Sequence, residues 1–404
     1  MIRRVAVTGV GSVSALGNSA SEFWAACRSG HSGIAPLDGI ELAGIRFRNG
    51  AQARPFQPSQ HFDDKQIIPL DRFAQLAIVA AREALAQSQL GLTPDERTRA
   101  AIVTGSCYGG KTSEDAGFLA LYREAQPRVH PMTIPRLMAN AGASALTLEL
   151  GWQGPVWTVS TACSSANHAI GQAFWLVRHG LADVALTGGS EAPFTYGSLK
   201  AWEALRVVSP DTCRPFSKGR TGMVLGEGAA MLVLEPLDRA LARGARVLAE
   251  ITGFGMGADA HHLTQPSVDG AARTLRLALA DANLPPEAIG LVNAHGTGTA
   301  INDVTESAAL RAVFNTSLSR IKVTATKSLH GHALGASGAL EAVATVLGLQ
   351  SQAIPPTANF QQPDPECDIP LCTQFQPWPH QAAVSNSFAF GGLNAVLVFQ
   401  RAQP

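Results

Sequence analysis

The sequence predicts an α/β fold assembled from two similar halves. Short β-branched runs alternate with longer Ala- and Leu-rich stretches at helical spacing, a strand-then-helix rhythm that repeats along the chain. A second series of strand-like runs follows the first, and two segment pairs match across the series in the same order.

The first series comprises Arg4–Thr8, Ala101–Thr104, Val156–Ser160, Val184–Thr187 and Ala230–Glu235. The second comprises Val247–Thr252, Leu291–Ala294, Ile321–Thr326, Ala383–Asn386 and Val396–Gln400. Helices are predicted at 71–89, 164–179, 270–283, 303–313 and 334–350. In the first of these, Phe73, Leu76, Ala77, Ala80 and Ala84 recur at helical spacing, and Gly180 stands at a C-cap position after the second. Val159–Gly171 lies over Val323–Gly335, which matches His168 to His332 and Cys163 to Lys327. At nearly the same offset Met231–Glu235 echoes Val396–Gln400. The reading is two βα halves, 1–245 and 246–404, packed as one body with equivalent strand–helix corners facing a shared centre.

Only 15% of the 404 residues are charged and 46% are hydrophobic, so much of the chain is buried in a large core or a subunit interface. Lys plus Arg and Asp plus Glu balance at 31 each, which gives no basic field for nucleic acid or an anionic membrane. Six scattered cysteines with no CxxC pair read as reduced, mostly buried thiols of a cytoplasmic protein. Met1-Ile2-Arg3-Arg4 leads directly into a strand-like run, so no signal peptide is expected. No apolar run approaches the roughly 20 residues that a membrane span needs.

Cys163, in Thr161-Ala162-Cys163-Ser164-Ser165, follows a strand and opens a helix of small residues. Free N–H groups and the helix dipole there are expected to lower a thiol's pKa, and the nucleophile's own N–H can serve an oxyanion. Cys27, Cys213, Cys367 and Cys372 have no such setting and read as structural. His295 sits in Asn293-Ala294-His295-Gly296-Thr297-Gly298-Thr299, directly after an apolar strand, and His332 in a second strand-to-helix corner after Thr326-Lys327-Ser328. Two histidines and one cysteine at the corners of a duplicated fold point to a catalytic trio.

Other signals are weaker. Gly9-Val10-Gly11-Ser12-Val13-Ser14 lacks the third glycine of a dinucleotide fingerprint. His330-x-His332 and His261-His262 have no Cys or carboxylate to complete a metal set, so none is expected. Gly188-Gly189-Ser190-Glu191 is not a nucleophile elbow. Gly391-Gly392 reads equally as a structural turn or an active-site gate.

Taken in order along nearly the whole chain, these motifs resemble the β-ketoacyl-acyl carrier protein synthases of the thiolase superfamily, in the Cys-His-His branch similar to synthase II. Arg214-Pro215-Phe216, Val224-Leu225-Gly226-Glu227-Gly228-Ala229 and Asn386-Ser387-Phe388 add to the likeness. The resemblance implies a thiolase fold of two pseudo-symmetric halves in five α-β-α-β-α layers, and an acyltransferase that acts in fatty-acid or polyketide synthesis. It implies that Cys163 carries the acyl group, that His295 and His332 bind a malonyl thioester's carbonyl, and that the N–H groups of Cys163 and Phe390 form the oxyanion hole. Lys327 matches a lysine that sets the local charge, Glu341 a supporting acid, and Thr297 and Thr299 the threonines that bind the pantetheine arm. No cofactor is implied, because acyl carrier protein presents both acyl and malonyl groups on its phosphopantetheine. A dimer is implied, either of identical chains or with a related ketosynthase-like subunit.

The sequence departs from the family pattern at four places. Ala389 replaces a permissive glycine in the gate loop, Tyr108 stands where a small or aliphatic residue lines the acyl pocket, and Met223 replaces a common Phe. Lys65–Leu70 is poor in charge where relatives carry a basic cluster for the carrier. These changes favour a specialised polyketide- or polyene-type elongation over housekeeping synthesis. A thiolase would need a second cysteine where Phe388 and Phe390 stand, an initiating synthase an Asn at His332, and a chain-length subunit would lack Cys163.

Overall fold

The computed structural model describes residues 2–402. Ten strands form the main sheet: β1 (Val5–Ser14), β2 (Ala100–Gly105), β3 (Val156–Val159), β4 (Val184–Glu191), β5 (Gly228–Pro236), β6 (Ala249–Ala258), β7 (Ile289–Asn293), β8 (Lys322–Thr324), β9 (Ala382–Ala389) and β10 (Leu393–Gln400). All ten predicted strands are present. The ladder runs β8-β7-β9-β10-β6-β1-β5-β4-β2-β3. Read from either edge inward, each half has the order third, second, fourth, fifth, first, so the duplication inferred from two short segment matches is a duplication of topology.

The halves meet where β1 pairs antiparallel with β6, at Val5↔Ile251, Ala6↔Glu250 and Val7↔Ala249 only. On its other edge β1 pairs with β5 from Val5 to Ser14, and every residue of these two strands is buried. Strands covered on both faces read as continuous apolar runs rather than alternating ones. That is why composition signalled a large buried fraction.

Five long helices match the predicted ones: α1 (Arg72–Ser88), α2 (Ser165–Arg178), α3 (Val268–Asp281), α4 (Ala300–Phe314) and α5 (Ser337–Ser351). α2 and α5 share one apolar cluster with strands of both halves, and form the middle layer. α1 packs on the outer face of the first half and α3 and α4 on that of the second. The order is therefore α-β-α-β-α. The glycines of the rejected dinucleotide motif have a packing role: a Cβ on Gly9 or Gly11 would lie 2.0 or 2.1 Å from carbonyl oxygens of α1. Only glycine lets that helix lie so close to β1.

Four further helices of ten or more residues, Ala20–Ser29, Lys111–Tyr122, Ala141–Leu150 and Tyr196–Leu205, are not among those the sequence predicts. The first carries local cap signals, Ser19 accepting from Glu22 N–H and a left-handed Gly30, but lacks a long apolar stripe. Among the described residues no helix is long and apolar enough to cross a membrane.

Candidate active site

The first corner is the turn between β3 and α2. Ser164 Oγ donates to Thr161 O at 2.8 Å and Ser165 Oγ to Ala162 O at 2.6 Å, while Thr161 N–H donates to Ser165 Oγ at 2.9 Å. These bonds hold Ala162 at φ 52°, a left-handed conformation that a residue with a Cβ adopts at a cost of roughly 1–2 kcal/mol. The small and hydroxyl residues of Thr-Ala-Cys-Ser-Ser are thus what the turn requires, and Cys163 is aimed at the shared centre.

The N–H groups of Phe390 and of Cys163 itself face the sulfur, and the charge of Lys327 also favours a thiolate. Even so, burial dominates and pushes the Cys163 thiol up to about 11. This corrects the expectation of a lowered value: the helix N-terminus is present, but the sulfur has left water and the charged form loses its hydration. The sign is then fixed. Below pH 11 the thiol dominates, so alkylation of Cys163 by iodoacetamide should rise about tenfold per pH unit from 7 to 10. Peptide mapping that showed a plateau near pH 8.5 would contradict this.

The second corner follows β7. His295 N–H and Gly296 N–H both donate to Glu306 on α4 at 2.8 Å, and Asn386 Nδ2 on β9 donates to the same carboxylate at 3.0 Å. One helical turn earlier, Asp303 accepts from Phe216 N–H at 2.7 Å and Gly298 N–H at 3.2 Å. Burial raises both carboxyls, Asp303 to about 6. Sequence reasoning missed this pair. Its signal was two acids three residues apart on a helix that directly follows a Gly-rich loop.

The third corner follows β8. Leu334 N–H donates to His332 Nδ1 at 3.1 Å, with Ser337 Oγ at 2.8 Å from the same atom. At His295, Lys327 Nζ lies 3.2 Å from Nδ1 and donates to the His295 carbonyl at 2.7 Å. In each ring Nδ1 is therefore the acceptor and the proton sits on Nε2. The rings stand 5.6 Å apart at 89°. Burial and the Lys327 charge hold both histidines well below their usual pKa, and the two also disfavour joint protonation. Two neutral Nε2–H donors are the result.

Lys327 is fully buried and its ammonium also bonds Glu341 on α5, itself fully buried. The lysine meets Glu341 Oε1 and leaves Oε2 without a hydrogen-bond partner, and burial raises the carboxyl even against the lysine's pull. Pseudo-symmetry places this ion pair opposite the Cys163 corner, as the matched segments indicated.

A cavity of about 380 Å³ joins the three corners, with Cys163, His295, His332, Met223 and Phe390 on its wall and Thr297 and Thr299 along it. The two threonine hydroxyls are 2.8 Å apart. Tyr108 does not line this cavity. It packs in an adjoining apolar cluster with Trp202, Met223 and Phe390, all three of which also line the cavity. Phe390-Gly391-Gly392 form the three-residue loop of the β9–β10 hairpin, in which Gly391 and Gly392 take φ 84° and 68°, left-handed values that favour glycine. His330 is buried with Nε2 3.1 Å from Thr326 Oγ1, and no cluster of three or more His, Cys, Asp or Glu suited to a metal occurs among the described residues.

Residues 2–240 match the β-ketoacyl synthase N-terminal domain and residues 248–361 its C-terminal domain. Nodulation protein E of Rhizobium sp. (strain N33) is 44% identical, over 99% of this chain and 100% of that protein. The 3-oxoacyl-[acyl-carrier-protein] synthase 2 of Staphylococcus aureus (strain COL) is 37% identical, over 99% and 98%. The ishigamide ketosynthase/chain length factor superposes with a TM-score of 0.95 at 34% identity, covering 100% of both chains. The chain belongs to the β-ketoacyl synthase family, with the thiolase fold and ketosynthase chemistry of its relatives.

Proposed function

We propose that this chain elongates carrier-bound acyl groups by a decarboxylative Claisen condensation in which Cys163, His295 and His332 are the reacting trio. The observation that carries the reading is the pair of neutral Nε2–H donors facing one cavity with a cysteine.

Cys163 sulfur attacks the carbonyl of an acyl-carrier thioester, and the tetrahedral oxygen accepts the N–H groups of Cys163 and Phe390. The carrier thiol departs with the proton that the cysteine gave up. A malonyl thioester then enters past Thr297 and Thr299, and its carbonyl accepts both histidine Nε2–H bonds. Carbon dioxide leaves, its bonding electrons pass into the enolate, and the enolate carbon attacks the acyl-Cys163 carbonyl. The carbon–sulfur bond breaks, the 3-oxoacyl carrier forms, and the thiolate regains a proton from solvent. Lys327 and Glu341 act behind His295 to hold its orientation. Residues 1–245 supply the nucleophile and 246–404 the two histidines.

Acyl carrier protein is the proposed partner, on the strength of the relatives' names, and the cytoplasm the proposed compartment. Tyr108, Met223 and the charge-poor Lys65–Leu70 segment favour specialised polyketide- or polyene-type elongation. A second reading, the catalytic half of a ketosynthase/chain-length-factor pair, is favoured by the likeness to the ishigamide structure.

Intact-mass spectrometry with an acyl-loaded carrier tests the nucleophile. Wild-type protein should gain one acyl group and Cys163→Ala none; an adduct on the variant would sink the assignment. Tyr108→Gly should widen the range of donor lengths, through the cluster it shares with Phe390. An unchanged donor profile would show that Tyr108 does not bound the acyl site.

A further inference from the structure

Glu191, the last residue of β4, is fully buried and no cation among the described residues pairs with it. Four donors converge on it instead. Ser106 Oγ at 3.1 Å and Tyr108 N–H at 3.2 Å meet Oε1, while Cys107 N–H at 2.6 Å and Gly335 N–H at 3.1 Å meet Oε2. The first three belong to the loop after β2, which carries Tyr108 into the cluster around Phe390. The fourth belongs to the turn whose Leu334 N–H fixes His332 Nδ1.

We propose that Glu191 is a positioning residue that ties the acyl-side loop 106–109 of the first half to the His332 corner of the second. Two further contacts support the tie. A Cβ on Gly335 would lie 2.4 Å from Cys107 N and 2.6 Å from Glu191 Oε2, so the two segments touch through the carboxylate. Ser106 Oγ also accepts Gly109 N–H at 3.0 Å, so the bond to Glu191 sets the shape of the whole loop. The Gly-Gly-Ser-Glu motif thus delivers an acceptor with two oxygens, each engaged twice. Glutamine cannot replace it, because its NH₂ would point donors at donors.

The inference rests on the acyl-Cys163 reading. Donor selectivity is measured as the ratio of kcat/KM for a C6 and a C12 acyl-carrier, with Cys163 acylation followed in parallel by intact mass. Glu191→Gln should change that ratio at least fivefold and lower kcat about tenfold or more. Ser106→Ala, which spares the carboxylate and the fold, should shift the ratio in the same direction by less. Glu235→Gln, a buried carboxylate bonded to Thr8 and Arg243, is the control for lost stability and should leave the ratio unchanged. If Cys163 acylates normally and the ratio is unmoved in both Glu191→Gln and Ser106→Ala, the positioning role is overturned. A ratio moved equally by Glu235→Gln also overturns it. Wild-type protein that never acylates at Cys163 overturns the underlying reading and this inference with it.

Discussion

Replacing His332 with alanine is expected to lower malonyl decarboxylation about 10²–10³-fold while Cys163 still takes up an acyl group. Each hydrogen bond to a developing oxyanion contributes roughly that factor when its donor is preorganised. His332 is preorganised: Leu334 N–H and Ser337 Oγ hold Nδ1, and Nε2 is left for the substrate. Release of labelled carbon dioxide and intact-mass acylation separate the two steps, and a variant that lost both equally would refute the division of labour. The donors are neutral, which gives the pH dependence a sign. Both histidines titrate well below 6.5, so lowering the pH from 8 to 6 leaves them uncharged. The histidines should therefore add no inflection near 6.5. Burial raises the Glu191 and Glu341 carboxyls to about 7 and Asp303 to about 6, so the check is the histidine ring itself. An imidazole NMR shift of His332 that moved between pH 8 and 6 would mean that an imidazolium takes part.

How far the sequence anticipates this site depends on the kind of information each residue carries. The strands are legible because a strand buried on both faces is a continuous apolar run, as in Met231–Glu235 and Val396–Gln400. The Cys163, His295 and His332 corners are legible because each follows such a run and precedes small residues. The roles of Asp303, Glu306 and Glu191 are not legible beyond the three-residue spacing of the first two. Their roles rest on backbone N–H groups from distant segments, and an N–H group has no letter in the sequence. The thiol's pKa was misjudged for a related reason: a helix N-terminus is local and visible, whereas burial is a property of the whole fold. The range predicted as strand through Thr326 ends at Thr324 because Thr326 already caps the turn that carries Lys327. Tyr108 matched a pocket position in the family pattern, yet in the fold it packs beside the cavity, in the cluster with Trp202, Met223 and Phe390 that supplies part of its wall.

Lys327→Met is expected to have the second large effect, on stability as well as rate. The substitution removes the only cation among the described residues that contacts the buried Glu341 carboxylate and takes two hydrogen bonds from His295. Breaking a buried pair by deleting one partner typically costs about 3–5 kcal/mol, because the remaining charge is stranded out of water. A lower urea midpoint with an unchanged slope would register that loss. The double variant Lys327→Met/Glu341→Gln removes the stranded charge too, so most of the stability should return. Activity should not return with it, since His295 Nδ1 still lacks its donor and the ring is free to take the wrong tautomer. If the double variant regained activity along with stability, Lys327 would be a packing element alone. If Lys327→Met were as stable as the parent, Glu341 would already be neutral, and the buried pair would not be an ion pair at all.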